Sequence, residues 1–380
     1  MRRAGCIAAL ISLAVAAAAP SRAGSASDPY CTGSYGGAPA HALPALRMGI
    51  DPGLAGSAGG SQIPTVPDDP ARDLAAVKAL AVPHRQLVVR LNRLFWSDGE
   101  RGIRKFQRQV RMYTRAGFPV ELQVRYHPPS GKEGDIRAWT AYVRHVVDVF
   151  GRNRRVVDMT ITNEVNLTVS SNTSDGPYAG SEDALIRGTE AAHAEALRRG
   201  YRQLRFGFTY AYRWSPKSDA AFFSYLGTHG GRRFHQALSF IGLDFYPGTF
   251  YPPARSPGET YRADLAQAAG VLRKCFAPQA HIGRRVPIWI TENGIPTNDH
   301  TSQAEQAAAL EQLVRAAHAY SATYNITDYR WFNLRDSTDS GPQSQVALSF
   351  STDGLLRANY ARKKSFAAYR RMIRQVGKSR

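Results

Sequence analysis

The strongest constraint on this chain is an alternation. Eight apolar runs of strand length recur about forty residues apart, each followed by a stretch with helical periodicity. The expected strands are 46–51 (LRMGID), 86–92 (QLVVRLN), 119–127 (PVELQVRYH), 156–164 (VVDMTITNE), 203–212 (QLRFGFTYAY), 238–246 (LSFIGLDFY), 287–292 (PIWITE) and 327–334 (TDYRWFNL). Eight such units predict an α/β fold, a (β/α)8 TIM barrel, for which roughly 250 residues is typical and loop insertions add more. A doubly wound sheet would need a Gly-rich phosphate-binding first turn, and the sequence has none.

Helix ends support the same division. Asp69-Pro70 supplies an N-cap followed by proline at the first helical position. Ser256…Glu259 and Ser302…Glu305 have capping-box spacing. Gly117, Gly151 and Gly200 are expected to stop three helices as C′ glycines. The segment 101–115 places Ile103, Phe106 and Val110 on one face and six cations, Arg101, Arg104, Lys105, Arg108, Arg111 and Arg115, on the other. That basic face has no interleaved aromatics, so it reads as a solvated exterior rather than a nucleic-acid groove.

Residues 1–26 combine a basic start, a short apolar run and small residues at two cleavage points, after Ala23 or Ala26. They predict a secretory signal peptide, with residues 27–380 forming one barrel domain that is exported and monomeric. No later segment approaches the ~20 apolar residues of a spanning helix. Net charge is +19, and loss of Arg2, Arg3 and Arg22 with the leader leaves +16. Such a balance favours an anionic partner, among which an acidic or cell-wall polysaccharide suits an exported protein. Cys31 and Cys275 remain after processing and can pair in an oxidising compartment. No Cys/His cluster has metal-ligand spacing, and no cofactor is expected.

Reading the strands with period two separates an apolar face from a polar one. Met159 and Ile161 oppose Asp158, Thr160, Thr162 and Glu164, and Val89 and Leu91 oppose Arg90 and Asn92. In a barrel the apolar face meets the helices, so Arg90, His127, Glu164, Tyr246 and Glu292 are expected to converge on the mouth at the strands' C-terminal ends. Paired carboxylates held there at ~5–5.5 Å suit retaining glycoside hydrolysis, whereas roughly 6.5–9.5 Å suits inversion.

Asn163-Glu164 closing the fourth strand, with Glu292 in ITENG closing the seventh, resembles the retaining (β/α)8 glycosidases of clan A of the glycoside hydrolases. The resemblance implies Glu164 as general acid/base and Glu292 as nucleophile, without metal or cofactor. It further implies that Asn163 binds the sugar 2-hydroxyl, that Tyr246 hydrogen-bonds the nucleophile and that Arg90 keeps it charged. His127 matches a frequent site residue on the third strand. The clan's platform tryptophan at the end of the eighth strand falls on Phe332, with Trp331 one place earlier, and Asp244 stands where histidine is frequent. The resemblance leaves the sugar, the linkage and transglycosylation open. The rival reading is a catalytically silent barrel that binds carbohydrate or cell-wall polymer.

Overall fold

The computed structural model describes residues 28–53, 65–212, 215–247, 260–338 and 350–380. The expected signal peptide and the Ser256…Glu259 box lie outside the described residues. Eight strands, β1 (Arg47–Asp51), β2 (Leu87–Phe95), β3 (Val120–Arg125), β4 (Val156–Ile161), β5 (Arg205–Ala211), β6 (Leu238–Asp244), β7 (Ile288–Glu292) and β8 (Ile326–Phe332), follow chain order around a closed barrel. Every neighbouring pair is parallel, and β1 closes the ring against β8 with Asp51 beside Phe332. Most strands start and stop within three residues of expectation. The fourth ends earliest, at Ile161, because Thr162 and Glu164 take left-handed backbone (φ 65° and 46°) and leave the ladder.

Helix signals behave as local chemistry dictates. Asp69 accepts from the backbone N–H of Ala71 and Arg72, and Ser302 with Glu305 forms a reciprocal capping box. The helix before β7 starts at Tyr261, where the Thr260 hydroxyl accepts from Ala263 N–H. Gly117 and Gly200 are left-handed at helix ends, whereas Gly151 is the last helical residue and has no positive φ. Its smallness serves packing: a Cβ there would lie 2.2 Å from the Tyr201 ring. The six cations of the helix Gly99–Arg115 are exposed while Ile103, Phe106 and Val110 are buried. Cys31 and Cys275 are joined in a disulfide that ties the N-terminal segment to the helical stretch before β7. Among the described residues no helix is long and apolar enough to cross a membrane.

The lumen is filled by charge rather than by aliphatic layers. At its lower end Arg47 binds Asp158 (2.7 Å) and Asp328 (2.5 Å), and Arg205 also reaches Asp158 (2.7 Å). Arg330 links Asp328 (2.9 Å) to Glu121 (3.1 Å), and Arg90 caps Glu121 from the mouth side (3.2 Å). Arg330 can cross the lumen because β1 carries Gly49 opposite it: a Cβ at that position would lie 2.2 Å from the Arg330 Cδ. The Trp289 indole, stacked on Phe240 at 3.6 Å, offers its face to Arg47 at 4.7 Å and to Arg205 at 4.8 Å.

Glu121 is the only carboxylate between Arg90 and Arg330 in this chain of contacts, and all three are fully buried. Removing one partner from a buried ionic network leaves charge uncompensated, at a cost of about 3–5 kcal/mol. Glu121→Ala is therefore expected to lower the free energy of unfolding by that amount in urea titrations. A loss under about 1 kcal/mol would mean that the network contributes little to holding the barrel.

Candidate active site

The mouth of the barrel is assembled from loops that lock the ends of β3, β4 and β5 together. Asp175, from the loop after β4, accepts from Arg125 Nε (2.8 Å), Tyr126 N–H (2.8 Å) and Asn163 N–H (2.9 Å). Asn166 bridges to β5, donating to Ala211 O (2.8 Å) and Asp219 (2.7 Å) and accepting from Ala211 N–H (3.0 Å). Between these clamps stand Asn163 and Glu164. The Asn163 Oδ1 accepts from Gln123 (2.6 Å) and from the Thr209 hydroxyl (3.0 Å), while Thr209 Oγ1 accepts from Glu164 N–H (3.1 Å). The amide orientation thus fixed aims Asn163 Nδ2 at Glu164 Oε2, 3.3 Å away, and at Thr173 O, 2.9 Å away.

Glu292 is the last residue of β7, and both of its oxygens receive a donor. Arg90 Nη1 binds Oε1 at 2.6 Å, and the Tyr246 hydroxyl donates to Oε2 at 3.0 Å. Charge compensation by Arg90 and orientation by Tyr246 leave this carboxylate fixed at the cavity floor. The Tyr246 ring is held edge-on by Phe350 (4.8 Å) and Phe332 (6.4 Å).

Three carboxyl groups meet here. Glu164, Asp244 and Glu292 each present an oxygen within 4.8 Å of the other two, and all three residues are buried. Burial, then the negative charge of Asp244 and of Glu292, pushes Glu164 well above the ordinary carboxyl range against Arg125 and Arg90. Burial and Glu292 push Asp244 up likewise; its Oδ1 accepts from Thr291 (2.7 Å) and its Oδ2 has no hydrogen-bond partner. Three oxygens at this spacing are also a possible ligand set for a divalent cation. Both Glu292 oxygens are already engaged, one by a guanidinium, so the donor set suits proton management better than metal binding.

Of the residues singled out in the sequence, Arg90, Asn163, Glu164, Tyr246 and Glu292 come together directly. His127 stands on the rim, half-buried between Phe95 (4.8 Å) and Tyr178 (5.2 Å), with Nδ1 against Ser97 Oγ (2.9 Å); burial holds its pKa below the ordinary histidine value. Phe332 reaches the mouth beside Tyr246, and the peptide bond that follows it is cis. Trp331, the alternative platform, is a correction: strand alternation turns it outward into the apolar layer, where its indole N–H donates to Asp353 O (2.9 Å). Arg125 pairs with Asp175. Gln123, Asp175 and Thr209 were not singled out as site residues, because their roles depend on contacts across 40 to 50 positions of sequence. Period two did place Gln123 inward, and that was their only signal.

No protein-family model matches the sequence, and no curated protein matches it by sequence. Solved structures do match the fold. A family 1 β-glucosidase from Thermotoga maritima superposes with a TM-score of 0.62 at 13% identity, covering 90% of this chain and 100% of that one. The β-glycosidase of Thermosphaera aggregans gives 0.59 at 14% identity, covering 89% and 97%. A GH5_18 protein from Streptomyces cattleya in complex with GlcNAc gives 0.59 at 16% identity, covering 87% and 80%. At this level of identity the likeness establishes the barrel architecture.

The raised Asp244 has a consequence for stability. The folded protein holds a proton there that the unfolded chain releases above the ordinary value of 3.8. The stabilisation is fully present below that value and declines as pH rises. As pH rises from about 4 the melting temperature of the wild type is expected to fall relative to that of Asp244→Asn, with the curves closest at the acid end. Parallel curves would show that Asp244 titrates as an ordinary carboxyl.

Proposed function

We propose that this chain is a retaining glycoside hydrolase that cleaves O-glycosidic bonds of an oligo- or polysaccharide, with Glu292 as nucleophile and Glu164 as general acid/base. The observation that carries the reading is the pair of oxygens within 4.8 Å in opposite environments. That spacing is nearer the ~5–5.5 Å of retaining enzymes than the roughly 6.5–9.5 Å of inverting ones. Glu292 faces a guanidinium and a phenol, whereas Glu164 is buried beside other carboxyls and holds its proton.

In the first half-reaction a Glu292 oxygen bonds to the anomeric carbon, the bond to the leaving oxygen breaks, and the Glu164 proton passes to that oxygen. Esterification removes the Glu292 charge, one of the influences that raise Glu164. Glu164, now a carboxylate, is thereby suited to take a proton from water, whose oxygen displaces Glu292 from the anomeric carbon. Asn163 Nδ2, 3.3 Å from Glu164 Oε2, is in place to meet the 2-hydroxyl of the bound sugar. Structural similarity to a β-glucosidase and to a GlcNAc complex supports a carbohydrate substrate. The leader-like N-terminus and the Cys31–Cys275 disulfide support export. A silent sugar-binding barrel would keep the mouth but has no use for one compensated and one protonated carboxyl side by side.

The test is a polysaccharide panel read by reducing-sugar release and by NMR of the anomer first formed. The wild type is expected to release product with retained configuration, and Glu292→Ala none above background. Glu164→Ala is expected to be slower by about 10²–10⁴-fold, most of all with poor leaving groups. Full activity of Glu292→Ala, or an inverted anomer, would refute the assignment.

A further inference from the structure

Beside the carboxyl cluster lies a second cavity of about 290 Å³, walled by the ends of β1 and β2 and by the helix Gly99–Arg115. It adjoins the reacting centre through one residue. Asp51 lines it, and Asp51 Oδ2 is 3.7 Å from the same Arg90 nitrogen that donates to Glu292.

Four carboxyl groups line this cavity, and each has at least one partner, with Asp51 Oδ2 left without a hydrogen bond and facing Arg90 at 3.7 Å. Asp51 accepts from Gly53 N–H (2.9 Å), Asp68 from Arg335 (3.0 Å), Asp73 from the Tyr360 hydroxyl (2.8 Å) and Asp98 from Arg101 (3.1 Å). The cations are the groups left over. Among the described residues the side chains of Arg93 and Lys105 make no hydrogen bond or ion pair, although both line the cavity. Arg93 is half-buried and sits on the β2 bulge between Leu91 and Leu94 with φ 66°, a left-handed conformation unfavourable to any residue but glycine. Burial, with the Arg125 guanidinium nearby, pushes Arg93 below the ordinary arginine value despite Asp51 and Glu292. A partly desolvated guanidinium without a direct ion pair is less favourable in the empty protein than once an anion contacts it. The rest of the lining suits a sugar: Phe95 and Phe106 offer aromatic surface, and Gln109 Oε1 is a buried acceptor without a donor.

We propose that this cavity is a binding subsite for a sugar that carries an anionic group, a carboxylate or a sulfate or phosphate ester, with Arg93 binding the anion. The proposal rests on the glycosidase reading for its substrate class and names that class as an acidic saccharide. Lys105 adds a second positive charge, and Gln109 accepts from a sugar hydroxyl.

The test uses binding, so it does not depend on turnover. The full chain is titrated at low ionic strength with glucuronate, glucose 6-sulfate, glucose and inorganic sulfate, and Kd is read by ligand NMR. In the wild type at least one of the two acidic sugars is expected to bind on the order of ten-fold more tightly than glucose and than sulfate alone. The preference should shrink at ~0.5 M salt, vanish in Arg93→Ala and persist in part in Arg93→Lys. Equal affinity for charged and neutral sugars, or an unchanged preference in Arg93→Ala, would overturn the proposal. Sulfate alone binding as tightly as the sugar acids would overturn its saccharide part. If Arg93→Ala does not fold, the wild-type preference and its salt dependence still decide the matter. The activity of Glu292→Ala, set beside this titration, separates the two readings. An active Glu292→Ala defeats the proposed mechanism alone, and an inactive Glu292→Ala beside a wild type that shows no preference for the acidic sugars defeats the subsite alone.

Discussion

Arg90 is the interaction on which the mouth of this barrel depends. Its guanidinium is fully buried and faces two ways, Nε towards Glu121 at 3.2 Å and Nη1 towards Glu292 at 2.6 Å. A buried cation needs its charge matched, and a buried carboxylate needs the same. Glu121 in turn draws on Arg330, which draws on Asp328 and through it on Arg47. The reacting end of the barrel is therefore the upper terminus of an ionic column that runs the length of the lumen. An aliphatic core could fill the same volume, but it could not hold an arginine under Glu292 with fixed geometry. The column is better understood as a means of placing charge than as a source of stability, since buried ion pairs offset their desolvation only when every member is present.

Charge compensation also explains how three neighbouring carboxyls come to differ. Arg90 and Tyr246 take both oxygens of Glu292, leaving Glu164 and Asp244 to share the penalty of burial. Like charges within 4.8 Å in a buried site disfavour one another, so the two residues without a direct cation hold their protons to higher pH. Asp244 then does more than fill space. As a neutral acid it adds no charge to Glu164, and as an anion it would raise Glu164 further. The state of Asp244 thus sets how readily Glu164 gives up its proton, a coupling no pairwise description of two glutamates contains.

Much of this architecture was legible in the sequence because it rests on periodicities. Strand alternation separated Met159 and Ile161 from Asp158 and Thr160 without any knowledge of the neighbours, and the closed ring of eight followed from their number and spacing. The same rule decides between Trp331 and Phe332, since residues one apart on a strand face opposite ways. What period two could not supply were contacts made across the ring. The partner of Arg125, Asp175, sits in a loop with no strand pattern. Gly151 carried the signature of a helix stop, yet it makes room for Tyr201, fifty residues on. Glu121 gave no sign of being the midpoint of the ionic column, because its partners come from β2 and β8.

Backbone strain is present in the same region, which holds three of the eight non-glycine residues with positive φ among the described residues. Arg93, Thr162 and Glu164 are left-handed at the C-terminal ends of β2 and β4, and none is glycine. Each such residue costs of the order of 1–2 kcal/mol relative to an ordinary conformation. Around β4 the cost is visibly offset: Thr162 N–H donates to Val124 O (2.8 Å), Asp175 accepts from Asn163, and Thr209 accepts from Glu164 N–H. At Arg93 the flanking ladder, Leu91 beside Leu122 and Leu94 beside Val124, brackets the bulge. Glycine would satisfy the backbone more cheaply at every one of these positions. Left-handed backbone alone does not mark a site, since His84, His281 and Asn325 share it elsewhere in the fold. What sets Glu164 and Arg93 apart is what they present there, a carboxyl beside Glu292 and a guanidinium lining a cavity next to Arg90.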